Sequence, residues 1–196
     1  LLRLNQRPPA AFNLHYAGWD ASTTPPSSGA GIHHPRGDVK KISLYNTPAS
    51  AQRVTISDSE RSQTVDAWRV FWSRGVTEPG SSGSGLWNQD RRVTGVLSGG
   101  QSSCAAQALP DFYGRLEIAW NRGGALGTPL RRFLDPVNSN SLTLDGQNAS
   151  SIGSLPPVAG SGGDSGGSPA GDGLLALLGL GLLLRLRQYW NRRPAR

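Results

Sequence analysis

Along the chain, short apolar or alternating runs recur between clusters of Gly, Pro, Asn and Ser: FNLHYAGW, GAGIHH, KKISLY, RVTISD, DAWRVFW, SGLW, RVTGVL and FYGRLEIAW. Strands of this length separated by turn residues predict an all-β sandwich or barrel. One helix interrupts the pattern, with Thr128 as N-cap, Pro129 at the first position, then LRRFL, halted by Asp135 and Pro136. After about Asn148 the alternation stops. Residues 148–172 form a Gly/Ser/Pro tract with too little apolar surface to offset the entropy of ordering it, and this reads as a disordered linker. The linker runs into GLLALLGLGLLL, Gly173 to Leu184, which predicts a short apolar helix ahead of a basic tail. Such a run gives about 18 Å of helix against roughly 30 Å of hydrocarbon, a marginal membrane span even with Arg185 and Leu186 drawn in. The expected organisation is a folded domain over 1–147, a linker over 148–172 and an apolar segment with its tail over 173–196, in contact with membrane through 173–190.

Composition agrees with a loop-rich β domain: 26 Gly and 14 Pro accompany 36% hydrophobic residues. The net charge of +7 is concentrated in Arg185, Arg187, Arg192, Arg193 and Arg196. What precedes them is ordinary surface, so no nucleic-acid partner is expected. No metal-ligand spacing and no Gly-rich nucleotide loop occurs, so neither metal nor cofactor is implied. The chain lacks Met and starts Leu-Leu-Arg-Leu, as if inside a strand, which reads as the later portion of a longer protein. Its one cysteine, Cys104, would then pair with a residue outside this sequence; the other reading is a buried free thiol.

Two serines carry candidate chemistry. GGDSGGSP, Gly162 to Pro169, is nearly the nucleophile signature of trypsin-like serine peptidases. A nucleophile needs a rigid frame that holds its oxygen against a base and aims N–H groups at the developing oxyanion. Ser165 has linker on both sides and no such frame. Ser82, in TEPGSSGSG, is followed by the strand RVTGVL, then Ser98-Gly99-Gly100, Cys104 and LPDFYGRLEIAW. Gly80 and Gly83 relieve the crowding of a tight turn there. Asp111, just after Pro110, reads from the residues alone as a turn cap.

Four stretches, FNLHYAGWD, GIHHPRGDVKKIS, GVTEPGSSGSG and GGQSSC with DFYGR, together resemble the lysyl endopeptidases, bacterial members of the chymotrypsin-like serine peptidases. The resemblance covers roughly residues 1 to 147. It implies a double β-barrel of which mainly the second barrel and part of the first are present. It makes Ser82 the nucleophile and the N–H groups of Gly80 and Ser82 the oxyanion hole. Ser98, Gly99 and Gly100 would align the substrate strand, and Asp111 would floor the specificity pocket and pair with a substrate lysine, beside a wall at Val76 and Thr77 that carries no acid. The family's catalytic His and Asp would lie before Leu1, so this chain alone would be inactive. Four departures stand out: Gly85 replaces a Pro, Ser98 replaces a His, a Trp stacked on that His has no counterpart where QRVTI runs, and Ser81 replaces the acid that in trypsin pairs with a freed N-terminus.

Other candidates carry less. His33 and His34, with Asp58 or Asp66, are not elected as the rest of a triad, because the resemblance places the base elsewhere. Adjacent histidines on a strand point to opposite faces, which argues against a metal pair. His15 reads as structural. Arg36-Gly37-Asp38 and the sequon at Asn148 are short enough to be chance. The tail resembles the GlyGly-CTERM sorting signal, cut near Gly166 or Gly167 by an intramembrane sorting peptidase. With its arginines on the cytoplasmic side, the domain would lie outside the inner membrane, extracellular or at the cell surface. The expected partners are protein or peptide substrates. The alternative is a catalytically inactive surface binding protein built on a peptidase scaffold.

Overall fold

The computed structural model describes residues 2–6, 8–57, 62–122, 127–149 and 175–176. The alternating runs form strands: β1 (Leu2–Arg3), β2 (His15–Tyr16), β3 (Gly18–Asp20), β4 (Gly29–His33), β5 (Lys41–Tyr45), β6 (Ser50–Ser57), β7 (Ser62–Val70), β8 (Gly85–Asn88), β9 (Arg92–Gly100) and β10 (Asp111–Arg115). Two helices follow, α1 (Leu116–Arg122) and α2 (Arg131–Leu134), and then short strands β11 (Thr143–Leu144), β12 (Gln147–Asn148) and β13 (Leu175–Ala176). The main sheet runs β5-β4-β8-β9-β10-β7-β6, with β3 parallel to β9 and β11 antiparallel to β3. It closes on itself. Leu44 of β5 bridges Arg74, just past β7, through Leu44 N–H to Arg74 O at 2.8 Å and Ser73 N–H to Leu44 O at 2.8 Å. An all-β barrel with helices at its C-terminal end results, as the strand and turn pattern predicted.

Its interior holds Tyr45, Ala49, Trp68, Val70, Leu86, Leu97 and Tyr113, with Trp72 packed alongside. Burial of this apolar area is the main stabilising contribution, about 25 cal/mol per Å² removed from water. Strand β5 inverts the usual preference: Ser43 and Tyr45 point inward while Ile42 is 57% exposed. Ser43 is drawn inside because its hydroxyl has buried partners, His33 and Val76 O.

The run FYGRLEIAW, expected as one strand, divides at Arg115. Leu116, Ile118 and Trp120 fit a period of two, but Leu116 and Trp120 also lie four apart, on one face of a helix. That face wins because both side chains bury against Trp19 and Ala21, joined by Leu130 and Leu134. The Trp19 and Trp120 rings meet with centroids 4.5 Å apart. The second helix lies where LRRFL predicted it, but Thr128 does not cap it: its regular part starts at Arg131, no side chain caps it, and Leu130 N–H bonds Ala119 O of α1 at 2.9 Å. Strand pairing continues through β12 with β2, and Ala149 N–H reaches Leu14 O at 2.8 Å. Of the expected apolar helix only β13 is described, paired antiparallel with β1; the rest of the linker, apolar segment and tail, Ser165 included, lies outside the described residues. Among the described residues no helix is long and apolar enough to cross a membrane.

Candidate active site

Residues 71–84 join β7 to β8 and end in a loop over 76–84. Gly80 and Gly83 adopt φ of 95° and 87°, a region that only glycine enters without strain. The loop folds on itself through Ser81 N–H to Glu78 O at 3.0 Å and Ser84 N–H to Ser81 O at 3.1 Å. It is pinned to β9 by Gly83 N–H to Leu97 O at 2.9 Å and Leu97 N–H to Ser84 O at 2.8 Å. Ser81 is buried and Ser82 is exposed. The amides of Ser81, Gly83 and Ser84 are thus all engaged, whereas those of Gly80 and Ser82 donate to no acceptor among the described residues. Two unused donors flanking an exposed hydroxyl are the elements that stabilisation of an oxyanion requires.

Beside the loop, β9 passes its last residues. Gly99 and Gly100 pair with Phe112 and Asp111 of β10, and Ser98 is the extra residue of a bulge. Strand β8 leaves β9 before this point, so among the described residues Ser98–Gly100 have a strand neighbour on one side only. A free strand border can accept an extended peptide by backbone pairing.

Asp111 is 0% exposed. Its Oδ2 accepts from Trp72 Nε1 at 2.6 Å, Thr77 Oγ1 at 2.7 Å and Ser102 Oγ at 2.6 Å; Oδ1 accepts from Ser102 N–H at 3.1 Å. Short bonds to a carboxylate are strong ones and fix it in place. No Lys or Arg pairs with Asp111 among the described residues. Remaining acceptor capacity is on Oδ1, where Gly100 has no side chain to intervene.

This loop, strand border and buried acid all fall inside a stretch that matches a known family: the model described as lysyl endopeptidase, C-terminal domain, covers residues 1–114. The chain belongs to that family. The lysyl endopeptidase of Pseudomonas aeruginosa is 43% identical over 111 residues, a match that covers 54% of this chain and 22% of that protein. The chain therefore spans a minor share of that relative's length. A peptidase-related role follows from membership.

Within this lysyl endopeptidase domain the histidines separate. His15 is exposed and bonds Asn148 Oδ1 at 2.8 Å; His34 is exposed and meets Asp38 O at 3.2 Å. His33 is buried, with Nδ1 2.9 Å from Ser81 Oγ and Nε2 3.1 Å from Ser43 Oγ. His33, the last residue of β4, is thus buried while His34, just past it, is exposed. No imidazole bonds Ser82 among the described residues. Asp66 pairs with Arg53 across the β6–β7 hairpin at 3.8 Å, and Asp58 lies outside the described residues. The Arg36-Gly37-Asp38 turn serves the loop: Arg36 N–H donates to Pro79 O at 2.7 Å and Arg36 Nε to Glu78 Oε2 at 3.0 Å. Glu78 also takes the amide of exposed Cys104 at 2.9 Å, and these bonds, that from Cys104 first, hold its carboxyl below the usual range.

Sequence reasoning missed Trp72, Ser102, Ser43, Glu78 and the inward role of His33. Only for His33 was there a signal, the alternation in GAGIHH. Ser98 Oγ contacts Val96 O at 3.4 Å. Among the described residues no cluster of His, Cys, Asp and Glu suits a metal ion.

Proposed function

We propose that this chain is the C-terminal portion of an exported serine endopeptidase that hydrolyses peptide bonds after lysine or another basic residue. Ser82 Oγ attacks the scissile carbonyl, passing its proton to a histidine supplied from outside this sequence. The tetrahedral oxyanion takes the N–H groups of Gly80 and Ser82. The amine leaves with a proton returned by that histidine, and water then hydrolyses the acyl-enzyme. Ser98, Gly99 and Gly100 hold the substrate backbone, and Asp111 supplies the countercharge for its cationic side chain.

The supporting observation is Asp111 itself, a buried carboxylate without a cation among the described residues, one strand pairing away from Gly100. A buried charge is expensive unless paired. A substrate ammonium would pair it, and an apolar side chain would leave it unpaired. Residues 148–196 are read as linker and sorting signal, cut near Gly166 or Gly167.

A serine-directed phosphonate should label Ser82 in the full-length protein and not its Ser82→Ala variant, and lysyl amides should turn over faster than leucyl amides. Absence of labelling would favour the second reading, an inactive surface binding protein.

A further inference from the structure

His33 sits 3% exposed between two hydroxyls, and the ends of its hydrogen-bond chain fix where the protons are. Ser43 has a single hydroxyl proton and donates it to Val76 O at 2.8 Å. Its oxygen must then accept from His33 Nε2–H. Nδ1 is left bare and accepts from Ser81 O–H. The Ser81 oxygen in turn accepts Glu78 N–H at 3.3 Å. One relay therefore runs from Glu78 N–H through Ser81, neutral His33 and Ser43 to the Val76 carbonyl.

Both ends of this relay are backbone groups flanking Thr77. Thr77 is the residue whose N–H bonds Ser102 Oγ at 2.9 Å and whose hydroxyl bonds Asp111. Ser81, in the middle, adjoins Ser82. A single uncharged ring thus ties the nucleophile loop to β4 and β5 and, through Thr77, to the acid beside the substrate strand.

We propose that His33 is a positioning residue that holds the nucleophile loop in its working shape, and that its protonation releases the loop. The proposal rests on Ser82 being the nucleophile. Protonating Nδ1 turns the relay's acceptor into a donor, so the Ser81 proton loses its partner and the chain breaks beside Ser82. The groups facing the ring are Ser43 of β5, Ser81 of the loop, Asp111 of β10, whose charge favours the imidazolium, and neighbouring His34, whose charge opposes it; Glu78 of the same loop pairs with Arg36 of the turn between β4 and β5. Loss of hydration outweighs Asp111 and keeps the ring below its ordinary 6.5. Neutral His33 therefore contributes fully above pH 6.5, and its contribution is lost as pH falls through the lower folded value.

The test uses the full-length peptidase, with kcat and KM measured on a lysyl ester across the acid range, active sites titrated by phosphonate and folding followed by thermal melting. His33→Gln keeps one donor and one acceptor and does not titrate; His33→Leu keeps neither. His33→Leu is expected to lower kcat about tenfold to a hundredfold in folded molecules with KM little changed, the scale expected for a displaced reacting group. His33→Gln is expected to retain kcat above pH 6.5 and to lose activity on acidification less steeply than the parent. A folded His33→Leu variant with parental kcat and pH profile would overturn the proposal. Should His33→Leu not fold, an unchanged acid limb in His33→Gln overturns it. Hydrolysis that survives Ser82→Ala overturns Ser82 as the nucleophile instead, whereas hydrolysis abolished by Ser82→Ala but indifferent to His33 removes only the positioning role.

Discussion

Gly100 stands across β9 and β10 from Asp111 so closely that a methyl group on Gly100 would take the place of the Asp111 carboxylate oxygen Oδ1. The seat of the acid depends on a missing side chain. Gly100→Ala is therefore expected to displace the carboxylate and cost about 1–3 kcal/mol of stability, the range for overpacked cores. Under the proposed function, the preference of the full-length protein for lysyl over leucyl substrates should fall at least about tenfold, read as the ratio of kcat/KM values. A variant with an unchanged ratio would separate Asp111 from substrate selection.

Asp111→Asn keeps the shape but places an amide N–H₂ among donors. Trp72 Nε1, Thr77 Oγ1 and Ser102 Oγ converge on one carboxylate oxygen and Ser102 N–H meets the other, so either orientation of the amide leaves at least one donor facing N–H₂. A drop of roughly 3–5 kcal/mol in unfolding free energy is expected, because several hydrogen bonds to a charged group, each worth about 1.5–3 kcal/mol, weaken together. Trp72→Phe removes one donor, keeps ring packing between Tyr45 and Tyr113, and should cost about 1–3 kcal/mol. Urea titrations of both variants check the order.

Trp120 anchors α1 on Trp19, outside the barrel. Trp120→Ala should destabilise by about 3–5 kcal/mol and loosen α2, whose Leu130 and Leu134 share that cluster. Hydrogen exchange of the α2 amides, compared with those of β9, would show the loss concentrated at the helices.

Glu78 links pH to loop order. Its carboxyl is held below the ordinary 4.5 by the Cys104 amide and Arg36, so its contribution is present above pH 4.5 and is lost as pH falls through the lower folded value. Denaturation midpoints should decline over that acid window in the parent and decline less in Glu78→Gln.

The strands were legible because alternation and turn residues mark short half-buried segments locally. Residues 92–100 and 111–115 could be read that way without knowing their partners. LEIAW was not, since its periodicities of two and four coincide at Leu116 and Trp120 and only the position of Trp19 decides between them. The same holds for the site. Family motifs pointed to Ser82 and Asp111, but the donors on Asp111 come from positions 9, 34 and 39 residues away, and Ser81 meets His33 across 48. Such contacts are fixed by strand order, which no local pattern carries.

Barrel closure through Leu44 and Arg74 has a consequence for encounters with other polypeptides. The rim of β6, paired only with β7 among the described residues, is studded with Gln52, Arg53 and Thr55, whose hydration a docking neighbour would have to strip. The Ser98–Gly100 rim is short, uncharged and nearly bare of side chains. The β6 rim is thereby the harder one for a neighbouring strand to pair with, and the rim over 98–100 the easier.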